Sequence, residues 1–281
     1  MILIADSGSS KTDWRIIDIE GNISQHRTVG FNPTYQTEHE MLSILESDEV
    51  LSAMTADVKM IYYYGAGCSS DKMKHQVQLS LSGVFPNAEI EVDHDLLAAA
   101  RATAGDEPGI VSILGTGSNS CYYDGYDIAV SMYAPGFILG DEGGGSYVGK
   151  QFLKDFIHDE IPPHIMKLAI EELNLDYDEI IDRVYKHAFP GRYMASFCRF
   201  ITKYHSDPYC YKLYYDAFQD FFKTYVMKFP DYESKKIFFV GSIAFYNSDI
   251  LRQAAADLGL NVNMILEGPI AGLTLYHKSK L

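Results

Sequence analysis

Residues 6–12, Asp-Ser-Gly-Ser-Ser-Lys-Thr, follow an apolar opening and precede an alternating stretch, and their types suit phosphate chemistry. A glycine at a hairpin tip leaves backbone N–H groups free and lets phosphate oxygens come close. The hydroxyls of Ser7, Ser9, Ser10 and Thr12 add donors. Asp6, at the strand end, suits hydrated Mg²⁺, which prefers carboxylate and water oxygens. Lys11 either touches a phosphate or lies on the solvent face of its strand. The same design returns in GIVSILGTGSNSCYYDGYDIAV (109–130): apolar strand, small-residue loop, alternating strand, Asp-Gly turn. Placing Ser7-Gly8-Ser9 on Thr116-Gly117-Ser118 aligns ADSGSSK with LGTGSNS and suggests two related half-molecules. One such hairpin alone reads as an ordinary Gly/Ser turn. Two, each after an apolar strand, favour paired phosphate loops. The first is not a P-loop, because GxxxxGK[ST] is absent, and it is not a dinucleotide fingerprint, because GxGxxG opens a helix and this loop enters a strand.

Four further stretches hold polar groups where α/β proteins place chemistry. AEIEVDHD (88–95) reads as a strand and LLAAARATAG (96–105) as a helix ended by glycine. Asp95, at their junction, is either a general base for a hydroxyl or a cap on the helix at Leu96. Asp93 is its rival as base, while alternation points His94 to the opposite face. GDEGGGSYVG (140–149) sets Asp141 and Glu142 before three glycines, a flexible acidic turn entering a helix. Asn32 precedes proline in GFNPT, a common turn start. Gly241-Ser242 links a strand to a helix.

These residues need a scaffold, and 281 residues suit one large or two medium domains. With 47% hydrophobic and 22% charged residues, the composition is that of a soluble globular protein. A net charge of -15 without a Lys/Arg-rich patch argues against nucleic acid and against a polybasic membrane contact. Backbone N–H groups and a metal ion must then hold any phosphorylated ligand. No apolar run reaches the ~20 residues that span a bilayer, and no signal peptide is visible. Cys68, Cys121, Cys198 and Cys210 show no CxxC pair, against a disulfide framework or zinc site. The expectation is a cytoplasmic protein.

Strands are expected at Ile2–Ala5, Trp14–Ile19 and 58–67, and helices at Glu38–Glu46 and Asp71–Ser82. The alternation implies an α/β architecture with a mostly covered sheet. Beyond Ser146 come helices at Val148–His158, Pro163–Leu173, Asp178–His187, Arg192–His205 and Pro208–Phe229. The last carries Tyr211, Tyr214, Tyr215, Phe218, Phe221, Phe222 and Tyr225 at helical spacing, a mark of core or subunit interface. A strand, Gly-Ser turn and helix follow in KIFFVGSIAFYNSDILRQAAADLG, and EGPIAGLTLYHK closes as a helix.

In order, DSGSSKTDW, GFNPT, DHDLLAAARA, SILGTGSNS, GFILGDEGG, FFVGSIA and EGPIAGL resemble the BadF/BadG/BcrA/BcrD-type ATPase family. The nearest match within it is the N-acetylglucosamine kinase-like branch of the sugar kinase/hsp70/actin superfamily. The resemblance covers nearly the whole chain. It implies an α/β fold of two RNase H-like (actin/hexokinase-like) domains around a nucleotide-binding cleft. The first would span 1–107, with a C-terminal helix at about 268–281 packing back on it; the second would span 108–267, with a helical insertion at about 148–229.

ATP and Mg²⁺ are the implied cofactors. Gly8, Ser9, Ser10, Lys11 and Thr12 would form the first phosphate loop, with Asp6 holding Mg²⁺ through water. Gly115, Thr116, Gly117 and Ser118 would form the second, and Gly241 and Ser242 the adenosine turn. Asn32, Gly136, Asp141 and Asp95 would contact the sugar, with Asp95 taking the proton of the acceptor hydroxyl. The implied activity is ATP-dependent phosphorylation of an N-acetylated hexosamine at O6. Two alternatives stay open. One is an ATPase that activates a partner enzyme through a cysteine-held iron–sulfur cluster, for which the cysteine spacing is wrong. The other is a non-catalytic nucleotide- or sugar-binding regulator. The implied partners are the sugar and ATP, with no nucleic acid and no membrane, and a homodimer stays open. The motifs do not separate N-acetylglucosamine from N-acetylmuramic acid or glucosamine.

Overall fold

The opening run forms strand β1 (Ile2–Ser7) in the computed structural model, which describes residues 1–8 and 11–280. Candidate residues Ser9 and Ser10 lie outside the described residues. Leu3, Ile4 and Ala5 are fully buried because β1 is the middle strand of a sheet ordered β3-β2-β1-β4-β5. Strand β2 (Lys11–Ile17) returns antiparallel, with Ser7 opposite Thr12, and β3 (Ile23–Val29) extends the meander. Strands β4 (Met60–Gly65) and β5 (Glu89–His94) run parallel to β1. Helices α1 (Glu38–Ser47), α2 (Glu49–Ser52), α3 (Asp71–Val84) and α4 (Asp95–Thr103) complete this part. Met41 and Leu45 of α1 and Val77 and Leu81 of α3 join Leu3, Trp14, Phe31 and Ile61 in one core. Thr37 starts α1 with a capping box to Glu40, an arrangement whose loss costs about 1 kcal/mol.

The C-terminal helix, Ile270–Lys278, belongs with this unit, which comprises Met1–Gly105 and the segment from Pro269. His277 on that helix stacks on Tyr62 at 3.7 Å between ring centres and shares a 2.8 Å hydrogen bond with the Tyr64 hydroxyl.

The second unit, Asp106–Gly268, repeats the plan. Its strands are β6 (Gly109–Leu114), β7 (Ser118–Tyr123), β8 (Ile128–Ser131), β9 (Ile237–Val240) and β10 (Val262–Leu266). They are ordered β10-β9-β6-β7-β8, with β6–β7–β8 antiparallel and β6–β9–β10 parallel. Matching β6 to β1 reproduces the first sheet strand for strand, so the repeated Gly/Ser hairpin belongs to a repeated sheet. Both sheets are mixed and five-stranded.

Between β8 and β9 lie α5 (Gly145–Ile157), α6 (Pro163–Leu173), α7 (Tyr177–Tyr185), α8 (Pro190–Ser196), α9 (Cys198–Lys203) and α10 (Pro208–Thr224). After β9 come α11 (Ser242–Tyr246) and α12 (Ser248–Ala256). The aromatic stripe of α10 is core: Tyr214, Phe218, Phe221 and Phe222 are buried with Leu114, Phe152 and Phe239, and Tyr211 and Tyr215 pack at the margin. Among the described residues no helix is long and apolar enough to cross a membrane.

Several expected boundaries move. Strand β2 starts at Lys11 and stops at Ile17, because the Asp18 carboxylate accepts bonds from the N–H groups of Glu20 and Asn22 and turns the chain. The helix expected at 192–205 is two helices meeting at Phe197, whose N–H tightens onto the Met194 carbonyl. The helix after Gly241 breaks at buried Asn247, whose Nδ2 donates to the Ile243 carbonyl.

Candidate active site

In the first unit the chemistry gathers where β1, β4 and β5 end. Asp6 lies opposite Asp13 on β2 and Tyr64 on β4. Burial, then the charges of Asp13 and Asp95, raise the Asp6 carboxyl to about 7. Asp13, although burial opposes it, is held below the usual carboxylate range by hydrogen bonds from Lys11 and Arg27, at 2.8 and 2.7 Å. Lys11 therefore sits on the exposed face of β2 in an ion pair.

Asp95 is the first residue of α4. Of the two roles open to it, the cap has gone to its neighbour: His94 Nδ1 accepts from the Leu97 N–H at 3.3 Å. Asp95 accepts from the Leu96 N–H at 2.9 Å through Oδ1, and burial raises its pKa. Its rival Asp93 is ion-paired with Lys74. Asn32 packs into the same region. Its Oδ1 accepts from the Thr34 N–H at 3.0 Å, and a Cβ on Gly67, at φ +84°, would lie 2.3 Å from that oxygen.

Two residues of the first hairpin face inward. Ser7 and Thr12 share a 2.7 Å hydrogen bond, and the Phe31 N–H donates to Ser7 Oγ at 3.1 Å. Thr12 is fully buried and also donates to the Val29 carbonyl. The pair thus fastens the hairpin to the turn that carries Asn32. Gly8 closes the hairpin with its own N–H, bonded to the Lys11 carbonyl at 2.9 Å.

In the second unit the loop Gly115–Ser118 lies on the N-terminus of α5. The N–H groups of Gly145 and Ser146 donate to the carbonyls of Gly115 and Thr116 at 2.8 and 2.7 Å. Asp141 accepts from the Ser118 N–H at 3.1 Å and from Ser146 Oγ at 3.2 Å, and burial raises its pKa. Ser118 Oγ is buried without a hydrogen-bond partner. Gly241 adjoins this loop at φ +125°, and a Cβ there would lie 2.2 Å from the Leu114 carbonyl oxygen. The sequence therefore needs glycine at the strand-to-helix turn, with Ser242 exposed at the head of α11. Gly136, at φ +80°, accepts through its carbonyl from the Gly140 N–H at 2.8 Å.

The structure thus brings Asp6, Asp95 and Asn32 together in one unit, and Gly115–Ser118, Asp141 and Gly241 in the other. Sequence reasoning passed over Ser146, which holds Asp141, and Tyr225, whose hydroxyl donates to Glu142 at 2.9 Å. The Ser7 hydroxyl, read from the sequence as a phosphate donor, is instead engaged with Thr12 and the Phe31 N–H. All four cysteines are free thiols and buried.

Asp6 also serves to test whether Mg²⁺ fits. At Asp6 burial and the like charges of Asp13 and Asp95 outweigh the one nearby cation, Lys11, and push the carboxyl up to about 7, an excess of negative charge that a cation would offset. Among the described residues no three His, Cys, Asp or Glu side chains form a ligand cluster. An ion there would keep most of its waters, the habit of Mg²⁺ rather than of a protein-caged metal.

No family model matches the chain, and no curated protein matches it. Solved structures do match. One from Porphyromonas gingivalis, provisionally named an N-acetylglucosamine kinase, is 37% identical, with a TM-score of 0.93 over 99% of both chains. Another provisional N-acetylglucosamine kinase, from Chromobacterium violaceum, shares 14% identity and a TM-score of 0.72 over 98% of both chains. A ROK family glucokinase from Streptomyces griseus, in complex with glucose and AMPPNP, matches at 14% identity and a TM-score of 0.56, covering 99% of this chain and 98% of its own. The last two share the fold. On the first, the chain belongs to the N-acetylglucosamine kinase-like branch of the sugar kinase/hsp70/actin superfamily, where its motifs had pointed.

Proposed function

We propose that the protein is an ATP-dependent kinase that phosphorylates an N-acetylated hexosamine, N-acetylglucosamine-like, at O6. The observation that carries the reading is Asp95: a buried carboxylate with a raised pKa, relieved of the capping role and near the charge of Asp6. A base poised closer to neutrality than a free aspartate is suited to take a hydroxyl proton. In this reading Asp95 orients O6 and accepts its proton while that oxygen attacks the γ-phosphorus and the bond to the β–γ bridging oxygen breaks, releasing ADP.

Gly8, Ser9, Ser10, Lys11 and Thr12 belong to the first phosphate loop, with Thr12 acting from within as its brace. Gly115, Thr116, Gly117 and Ser118 form the second. Gly241 and Ser242 take the adenosine. Asn32, Gly136, Asp141 and Asp95 take the sugar, whose hydroxyls each donate and accept. Asp6 would hold Mg²⁺ through water, and the ion would neutralise charge on the transferring phosphate. The relatives' names support a sugar as acceptor.

The test is ADP release from Mg²⁺–ATP against N-acetylglucosamine, N-acetylmuramic acid, glucosamine and N-acetylmannosamine, with a no-sugar control and NMR of the product. Release that depends on an N-acetylated hexosamine, with phosphate on O6, is expected. Release that ignores every sugar would replace the kinase with an ATPase serving a protein partner.

A further inference from the structure

We propose that Asp141 is a positioning residue for the second phosphate loop, so that the carboxylate assigned to the sugar also sets nucleotide affinity. The inference rests on the kinase reading above and deepens it. Helix α5 starts at Gly144–Gly145 without a side-chain cap, so its first N–H groups need other partners. Gly145 and Ser146 find them in the Gly115 and Thr116 carbonyls. That turns the loop's acceptors toward the helix. Its remaining N–H groups, on Thr116 and Gly117, have no protein partner among the described residues, as an anion-binding loop requires.

Asp141 fixes the far end of this arrangement. Oδ1 accepts from the Ser118 N–H at 3.1 Å while Ser146 Oγ holds Oδ2 at 3.2 Å. The packing leaves no slack: a Cβ on Gly117 would lie 2.6 Å from Asp141 Oδ1, and one on Gly144 would lie 2.6 Å from the Gly117 carbonyl carbon. Asp141 holds φ +62°, a conformation that Asp and Asn adopt more readily than other side chains. An ionised carboxylate has about four acceptor positions. The two protein bonds therefore leave room for a sugar hydroxyl on the same group. Removing the carboxylate strands a buried Ser118 N–H and releases the loop even when no sugar is bound.

The test is calorimetric titration of a non-hydrolysable ATP analogue with Mg²⁺, without sugar, into the whole chain. Asp141→Ala is expected to weaken nucleotide binding about 10-fold or more. Asp141→Asn, which keeps an oxygen for Ser118 and tolerates the backbone, is expected to stay within about 3-fold of wild type. Should Asp141→Ala fail to fold, Ser146→Ala carries the test, because it removes the hydroxyl that holds Asp141 Oδ2 and should weaken the nucleotide several-fold. A folded Asp141→Ala with unaltered nucleotide affinity and only a raised sugar KM overturns the proposal while leaving the kinase reading intact. A wild-type chain that binds no nucleotide overturns both.

Discussion

Gly241→Ala probes the junction of β9, α11 and the second phosphate loop with a single methyl group. At φ +125° the backbone lies where side-chain-bearing residues are strained, costing about 1–3 kcal/mol. The added Cβ would stand 2.2 Å from the Leu114 carbonyl oxygen, and relief demands a shift of about 1 Å in backbone that leads directly into Gly115. Overpacking of this kind adds about 1–3 kcal/mol. The sum, about 2–6 kcal/mol at about 2–4 °C per kcal/mol, lowers the melting temperature on the order of 10 °C. Gly259→Ala is the control: its φ is +73° but nothing lies within 4 Å of the new Cβ, so it carries the backbone cost alone. Thermal unfolding followed by circular dichroism reads both, and nucleotide titration reads the loop. Gly241→Ala should melt well below Gly259→Ala and bind nucleotide more weakly. Equal melting of the two, with nucleotide affinity intact, would refute the close approach and with it Gly241's assignment to the site.

Other consequences follow from charge. Asp6→Asn removes a buried carboxylate raised to about 7; that group favours the folded state as pH falls below 7 and opposes it above, so the variant should melt higher than wild type at pH 8 without Mg²⁺. The same variant should lose Mg²⁺-dependent turnover, and a lower melting point at pH 8 would contradict the burial argument. His277 moves the other way: burial and Arg101 hold it near 4 against an unfolded value near 6.5, so the unfolded chain gains the proton first. Its contribution is complete above pH 6.5 and lost as pH falls toward 4, a change on the order of 1–3 kcal/mol. Urea unfolding of wild type and His277→Gln should therefore converge between pH 7 and pH 4.5; a constant gap would show that His277 does not titrate there. Because Asp95 acts ionised and burial raises its pKa, kcat/KM should fall on the acid side with a midpoint above that of a free aspartate, about 3.9. A rate that stays flat down to pH 4 would exclude it as the base.

The parts legible in the sequence are those whose cause is local. Strands β1, β4, β6 and β9 are buried on both faces, so their apolar runs stand out. Edge strands β3 and β10 escaped notice because ISQHRTV and VNMIL mix polar residues into half-exposed positions, and only pairing with β2 and β9 makes them strands. The two Gly/Ser hairpins were visible as a repeat because turn chemistry lies in adjacent residues. Partners brought in by folding were not: Phe31 meets Ser7 across 24 positions, and Tyr225 meets Glu142 across 83. Asp95 shows the intermediate case. Its place before a helix was readable, but His94 as the helix cap required the dihedral angles and the imidazole's direction.

The measurement that bears most directly on the kinase reading is sugar-dependent ADP release by Asp95→Asn, with nucleotide affinity determined on the same preparation. Loss of a general base slows a reaction about 10²–10⁴-fold, whereas Asn keeps the shape and the hydrogen-bond acceptor facing Leu96. The account predicts turnover down by that factor, with the nucleotide bound as in wild type. Turnover within a few-fold of wild type would contradict it.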